Sequence, residues 1–521
     1  MSRSAPPGFT APLRVPRLRM LLLVQLGVSV GMWMLVTVAQ WLLTTAGESA
    51  STVSAVQLAA SLPFFLLALP VAAVVDSAGH RRMLVGTALA LAAVAPVPIL
   101  AGGSPPVLTA VVFVAGAGLA TTVVVWQALM PRLVTPDLLA VVPAVDGAVV
   151  NGARALGPVM GGAVLAAFGA NPVFIAVAVI FGVCAALSAR YVPASSGREP
   201  RRESVRESLA TGLRFIRHSG WTRRLLVRAT AFGVPAGCLW ALLPVVADER
   251  MRATTVEFGL VSGAVGVGAV VGTVAIMPLR SRMSWNHFVA LGSAAYAVVL
   301  LGLALNTRID VAAALMVLGG TAWVGVQSTW MIAAHSVVPP WIKTRVIAFV
   351  MVVFQGGQAV GALLWGRLAD ALGLVPAILV AAAAMAVSAI GILRNGIRPG
   401  DGIAPDSAGI VSAPIEIAGR SGRVTVETTY RVTEDGLTEF LADIAAQRTS
   451  RLRLGALRCV LLRPADADAT FVEYCVFRNH TDYLAQETER MTVPEYRLRE
   501  RVARHLDGPP EIRVLMEPSH R

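Results

Sequence analysis

Two ionisable side chains, Asp146 and Arg154, fall inside one apolar stretch at about 138–168. A charge in such a run is expensive, so each is a functional candidate. Asp146 lies about nine residues, roughly 13 Å, from the start of the stretch near Asp137, and a carboxyl group at that depth can carry a proton. If the helix opens at Pro143 instead, Asp146 is a near-surface residue with no coupling role. Arg154 follows eight residues later, about 80° around the helix, so the two cannot pair along it. It shares a face with Pro158 and Gly161 and could bind an anionic substrate, neutralise a carboxylate on another span, or hydrogen-bond helix carbonyls.

The remaining polar groups in apolar runs are uncharged: Gln25, Gln40, Gln57, Gln127, Asn151, Gln327, Gln355 and Gln358. With the broad faces of Trp33, Trp126, Trp240, Trp323 and Trp330 they suit a cavity for a bulky amphipathic molecule, although each also serves as packing or an interfacial anchor. No cofactor or metal is expected. Cys184, Cys238, Cys459 and Cys475 are scattered without metal or disulfide spacing and read as structural thiols. No Walker motif is present, so direct driving by ATP is not expected.

These residues need a membrane scaffold to position them. The chain is 55% hydrophobic and only 14% charged, with mean hydropathy +0.68, more apolar surface than a soluble fold can hide. Runs long enough to cross a bilayer fall at about 18–45, 51–75, 83–102, 106–130, 138–168, 171–191, 221–248, 256–279, 285–306, 309–336, 343–371 and 374–394. The fold class expected is an all-α membrane protein of twelve helices, arranged as an N-terminal six-helix bundle (1–191) and a C-terminal one (221–394). The two sets repeat: at an offset of 204, Gly116 meets Gly320, Trp126 meets Trp330, Pro136 meets Pro340, Gly152 meets Gly356, Gly157 meets Gly361, Gly162 meets Gly366 and Gly169 meets Gly373. Duplicated helix sets are the architecture of secondary transporters, whose halves rock about a midplane site.

Arginine sets the orientation. Arg14, Arg17, Arg19, Arg81, Arg82, Arg132, Arg280, Arg282, Lys343 and Arg345 all fall in loops on one side under a twelve-span count. That side is expected to be cytoplasmic, with both termini on it, in a multi-pass protein of the cell membrane. The net charge of +13 arises before residue 421 and faces anionic lipid, so no nucleic-acid partner is implied. The linker 192–220 is arginine-rich, and Leu209, Leu213 and Ile216 at helical spacing suggest either an amphipathic helix on the membrane surface or a solvated connection.

After a Gly/Pro/Ala/Ser-rich tether at 395–420 the pattern changes. Alternating strands at 424–432, 457–463, 470–478 and 511–517, with helices at about 435–447, 480–489 and 494–506, give the split βαβ order of a cytoplasmic ferredoxin-like α+β domain over 421–521. His480 and His505 lack an evident partner, and no enzyme activity is expected there.

Three local patterns point to a family. The segment Ala72-Ala73-Val74-Val75-Asp76-Ser77-Ala78-Gly79-His80-Arg81-Arg82 resembles the G-x-x-x-D-(R/K)-x-G-(R/K)-(R/K) loop of the major facilitator superfamily, with Ala72 and Ser77 departing from it. Gly157-Pro158-Val159-Met160-Gly161-Gly162 resembles the GPxxGG core of its export branches. The longer Asn151-to-Pro158 pattern, Leu62-Pro63, Ala241-to-Pro244 and Gly320-to-Val324 resemble its enterobactin-exporter and transmembrane secretion effector branch, over essentially the whole membrane part. The resemblance implies efflux of hydrophobic, drug-like or siderophore-like small molecules in exchange for protons. It also implies a cytoplasmic gating latch at Asp76, Gly79, Arg81 and Arg82. The relay arginine often found in the fourth span is absent, Val112 or Phe113 standing in its place. Import by the same fold is the first alternative, and a terminal domain that senses or modifies the exported compound is the second. That domain resembles the dimeric modules of the antibiotic-biosynthesis-monooxygenase type, which implies dimerisation through it.

Overall fold

The structure is a computed structural model and describes residues 10–135, 138, 141–193, 205–397, 404–408, 422–467 and 469–517. Apolar runs in lipid must satisfy their backbone groups internally, and they do so as helices. Among the described residues twelve helices are long and apolar enough to span: α1 (Pro16–Thr45), α2 (Ala50–Ala78), α3 (His80–Ala101), α4 (Pro105–Leu133), α5 (Val142–Phe168), α6 (Ala170–Tyr191), α7 (Gly220–Val245), α8 (Thr255–Ser281), α9 (Trp285–Leu305), α10 (Ile309–Val337), α11 (Pro340–Leu372) and α12 (Leu374–Arg394). Polar caps start several of them. Ser49 accepts from the Thr52 amide, and Thr254 and Glu257 form a reciprocal capping box on α8. Between α5 and α6, and again between α11 and α12, a single glycine turns the chain at positive φ: Gly169 at 84° and Gly373 at 92°. A side chain is disfavoured there, which explains a glycine at this repeat-related pair.

The expected span at 138–168 is shortened. Helix α5 starts at Val142 with Pro143 in its first turn, so Asp146 stands about one turn inside the helix rather than about 13 Å deep. Proline favours the first turn because its missing N–H costs nothing there.

The duplication is visible in the packing. A Cβ on Gly157 of α5 would approach the Val30 carbonyl of α1, and one on Gly361 of α11 would meet the Val234 carbonyl of α7. Gly116 of α4 faces the Ala60 carbonyl of α2, as Gly320 of α10 faces Val265 of α8. Across the halves, Gly162 of α5 lies against the Thr255 carbonyl of α8 (2.9 Å from an added Cβ), and Gly366 of α11 lies against the Ala50 carbonyl of α2 (3.0 Å). Both of these crossings are at the membrane face opposite the N-terminus.

The chain forms two compact units, Met1–Val205 with Arg228–Thr329 and Met351–Gly396, and Arg206–Val227 with Trp330–Val350 and Ile397–Arg521. In the second unit the linker helix Val205–Arg217 packs against the terminal domain rather than standing alone. Arg214 donates to the Gly455 carbonyl (2.7 Å), Arg478 pairs with Glu207 (3.2 Å), and Phe215 meets Trp341 edge-on. Phe215 and Ile216 are buried, whereas Leu213, expected on the apolar face, is 61% exposed.

The terminal domain has β1 (Val424–Arg431), α13 (Leu437–Leu454), β2 (Arg458–Leu462), β3 (Thr470–Phe477), α14 (His480–Ala485), α15 (Val493–Arg504) and β4 (Glu511–Met516), with a four-stranded antiparallel sheet of order β2-β3-β1-β4. Alternate residues of β1 and β3 are buried, matching the period-two pattern read from the sequence. Two apolar clusters, one around Phe477 and Tyr483 and one around Phe440 and Phe471, flank the buried ion pair Arg451–Glu473 (3.4 Å). The expectation of four free thiols is overturned for two of them. Cys459 and Cys475 are register partners on β2 and β3 and form a disulfide, while Cys184 and Cys238 are free and buried. Directly opposed residues of an antiparallel pair bring their Cβ atoms within disulfide reach. His505 also has a partner after all, Asp443 at 3.4 Å.

Replacing Gly162 by leucine forces a side chain against the α8 backbone and is expected to cost about 1–3 kcal/mol. Thermal unfolding in detergent checks this: the midpoint falls for Gly162→Leu and holds for Gly147→Leu, whose added Cβ meets open space.

Candidate functional site

The charged centre of the membrane part is Arg154, and its neighbours come from both repeats. On α5 it stands one turn before Pro158, on a helix that runs unbroken through that proline. Its Nη1 donates to Asn151 Oδ1 (3.0 Å), one turn back on the same helix. Its guanidinium lies over three indole rings, 5.0 Å from the centroid of Trp33 on α1, 5.5 Å from Trp240 on α7 and 4.4 Å from Trp323 on α10. The rings also touch one another, Trp33 with Trp240 at 5.5 Å and Trp240 with Trp323 at 6.3 Å. A cation over aromatic faces is stabilised by roughly 0.5–2 kcal/mol per ring, more where water is excluded. Among the described residues no carboxylate pairs with Arg154, so the rings and Asn151 carry its charge.

Glycine brings this cage together. Gly157 puts the α5 backbone against Trp33, and Gly161 puts it against Met34 and Val38 of α1. Phe354 of α11 extends the aromatic wall from Trp323 to Phe232, and Tyr296 of α9, fully buried, donates to the Ala236 carbonyl (3.1 Å) and holds α7 in place. Phe354, Phe232 and Tyr296 carried no sequence signal beyond being aromatic in an apolar run.

Toward the face opposite the N-terminus, side chains seal the two halves. Gln40 donates to the Trp240 carbonyl (3.1 Å), Trp41 Nε1 donates to Thr255 Oγ1 (3.0 Å), and the Trp41 ring stacks on Phe258 at 4.5 Å. The Ser51 amide donates to Asp370 (3.2 Å), joining α2 to α11. A separate groove of about 760 Å³ lies between α2, α4 and α11, with Arg367 as the charged residue of its lining.

The other expected residues divide. Asp146 is half-buried, its Oδ1 without a hydrogen-bond partner, in the neighbourhood of the Trp126 indole. Trp126 packs in an apolar cluster with Leu18, Leu22 and Val145, away from the cage. Gln25 and Gln358 are buried, Gln327 and Gln355 half-buried, and Gln127 is exposed. Trp330 is buried in the second unit. Gly79 makes the expected tight turn between α2 and α3 at φ 83°, and Arg81 and Arg82 are exposed. The Asp76 side chain lies outside the described part of the structure. The cluster Cys459, Glu473 and Cys475 has ligand atoms within 4.8 Å of one another, but its two sulfurs are bonded to each other.

Comparison with known proteins agrees with this architecture. The sequence profile of a family described as "Transmembrane secretion effector" matches residues 8–520. No protein of curated function matches by sequence. Similar solved structures include the nucleoside transporter NupG, at TM-score 0.61 and 11% identity over 73% of this chain and 99% of that one. A bacterial homolog of the human lysosomal transporter Spinster, in an inward-facing and occupied conformation, gives TM-score 0.62 and 13% identity over 75% and 98%. The human organic anion transporter MFSD10 (TETRAN) gives 0.54 and 16% over 72% and 99%. At these identities the likeness is one of fold.

Removing the Trp41–Thr255 hydrogen bond while keeping the ring stack, by Trp41→Phe, is expected to destabilise the sealed arrangement by about 0.5–1.5 kcal/mol. Thr255→Val has a similar effect and the double variant adds little, a pattern that a double-mutant cycle on unfolding in detergent reads directly.

Proposed function

As a member of the transmembrane secretion effector family of the major facilitator superfamily, to which the chain belongs over residues 8–520, this protein, we propose, exports hydrophobic, drug-like or siderophore-like small molecules by alternating access in exchange for protons. The observation that carries the reading is a charged, aromatic-lined centre built by both repeats and sealed toward one membrane face by Gln40, Trp41 and the glycine crossings. Separating those crossings and closing the opposite ends would present the same centre to the other side. In this reading the positive-inside bias makes the sealed face the outer one, the arrangement from which loading from the cytoplasm would start.

Although α5 opens at Val142 and leaves Asp146 only about one turn inside, its half-buried, unpartnered Oδ1 keeps Asp146 the candidate proton carrier in this reading. It sits nearer the cytoplasmic face than Arg154, on the same helix, so protonation there can be felt at the centre through a shift of α5. Gly79, Arg81 and Arg82 fit the cytoplasmic latch, closing after release. The strand order β2-β3-β1-β4 supports a ferredoxin-like terminal domain of the antibiotic-biosynthesis-monooxygenase type. The sheet face that bears Val460, Leu462, Val472, Tyr474 and Leu515 is opposite its helices and suits a second copy of the domain. Under this orientation the disulfide lies on the cytoplasmic side, where burial of Cys475 at 0% exposure shields it from thiol exchange.

Efflux from cells with and without the protein, at intact and collapsed pH gradient, tests the proposal. Expression lowers accumulation of an amphipathic compound only while the gradient stands, and Asp146→Asn abolishes that dependence without reducing membrane insertion. Accumulation that rises on expression would indicate uptake and sink the export reading.

A further inference from the structure

The unused hydrogen-bonding capacity at the cage has one sign. Arg154 Nε, Trp240 Nε1 and Trp323 Nε1 are all buried donors without an acceptor. The single hydrogen bond Arg154 makes goes to the neutral Asn151, and no described carboxylate pairs with it. Asn151, Arg154 and Trp240 are only part-buried as residues, while the three donor atoms themselves are covered. A membrane-embedded cation surrounded by spare donors lacks one chemical partner, an anion.

We propose that the site takes an organic monoanion, a carboxylate, sulfonate or phosphate ester on a planar apolar body. The acid group accepts from Arg154 Nε and from the Trp240 and Trp323 indoles. The planar body lies against the wall of Trp33, Trp240, Trp323 and Phe354, whose successive rings are 5.5, 6.3 and 5.9 Å apart centre to centre and suit flat partners. Because Trp33 and Arg154 belong to the first repeat and Trp240 and Trp323 to the second, the anion touches both halves. Loading therefore replaces part of the contact between Arg154 and the second-half indoles, and the occupied site can bias the halves toward separation. The same charge rejects cationic amphiphiles, which distinguishes this selectivity from that of a general drug exporter. The inference rests on the transport reading for its physiological meaning but not for its test.

Binding of 2-naphthoate, of its neutral amide and of the cation 2-naphthylmethylammonium is measured by calorimetry on the purified full chain in lipid nanodiscs. The naphthoate is expected to bind about tenfold or more tightly than the amide, as a charge-assisted hydrogen bond should give, and the cation to show no binding. Arg154→Gln removes that preference and Arg154→Lys retains part of it. Trp323→Phe keeps the ring, loses the N–H, and weakens naphthoate several-fold while leaving the amide unchanged. Equal affinity for naphthoate and amide, no naphthoate binding by the unaltered protein, or a preference that survives Arg154→Gln overturns the proposal. A Trp323→Phe protein that melts with the unaltered one yet binds naphthoate as tightly would remove the indole donors from it. Failure of the export reading looks different: naphthoate binds with the stated preference, but expression moves no compound outward.

Discussion

Backbone-to-backbone approach at glycine is the constraint on which the membrane part depends. Lipid offers helices no hydrophobic reason to associate, so they are held by close contact and by hydrogen bonds that closeness permits. Gly157, Gly161 and Gly162 occupy two faces of α5, the first two against α1 and the third against α8. One helix thereby ties its own half together and meets the other half. On α11, Gly361 and Gly366 do the same with α7 and α2. The two crossings are related by the repeat, so an interface that opens at one is expected to open at both, as rocking of rigid halves requires.

Where the repeats differ, the chemistry sits. Arg154 aligns with Gln358, Pro158 with Ala362 and Asn151 with Gln355, so one half supplies a cation and the other an amide at equivalent points. The cation is held by rings from both halves rather than by a carboxylate. A fixed ion pair would satisfy Arg154 and leave nothing for a ligand to do. Aromatic faces hold the charge while leaving its donors free, and they separate with less penalty than an ion pair when the halves part.

Much of this was legible in the chain. The spans agree with the helices to within a few residues because hydrophobic length is a direct demand of the bilayer, and the 204-residue offset predicted equivalent helix contacts that the structure contains. The four strands followed from alternation. What was not legible depends on geometry that spacing does not encode. Cys459 and Cys475 are 16 residues apart in sequence, and only the β2–β3 register makes them neighbours. Asp146 was placed too deep because hydropathy continues smoothly from 138 across Pro143, while the helix begins only at Val142. The linker helix buries Phe215 against Trp341 of α11, holds the terminal domain through Arg214 and Glu207, and leaves Leu213 outside, because its partner is a protein surface and not a flat membrane. The five tryptophans singled out as broad faces include the three that surround Arg154, Trp33, Trp240 and Trp323, but spacing alone did not separate these from Trp126 and Trp330.

Rigid halves separating at the glycine crossings is the central claim, and a reversible tether across α2 and α11 tests it most directly. A Cβ on Gly366 would lie 2.7 Å from the Ser54 Cβ, so cysteines there are joined once the helices give by about 1 Å to reach disulfide spacing, a shift that the single variants control for. Outward flux is measured in proteoliposomes bearing Ser54→Cys with Gly366→Cys, oxidised and then reduced, beside each single variant. The account predicts that oxidation stops flux in the double variant alone and that reduction restores it. Undiminished flux through the fully cross-linked protein would contradict it.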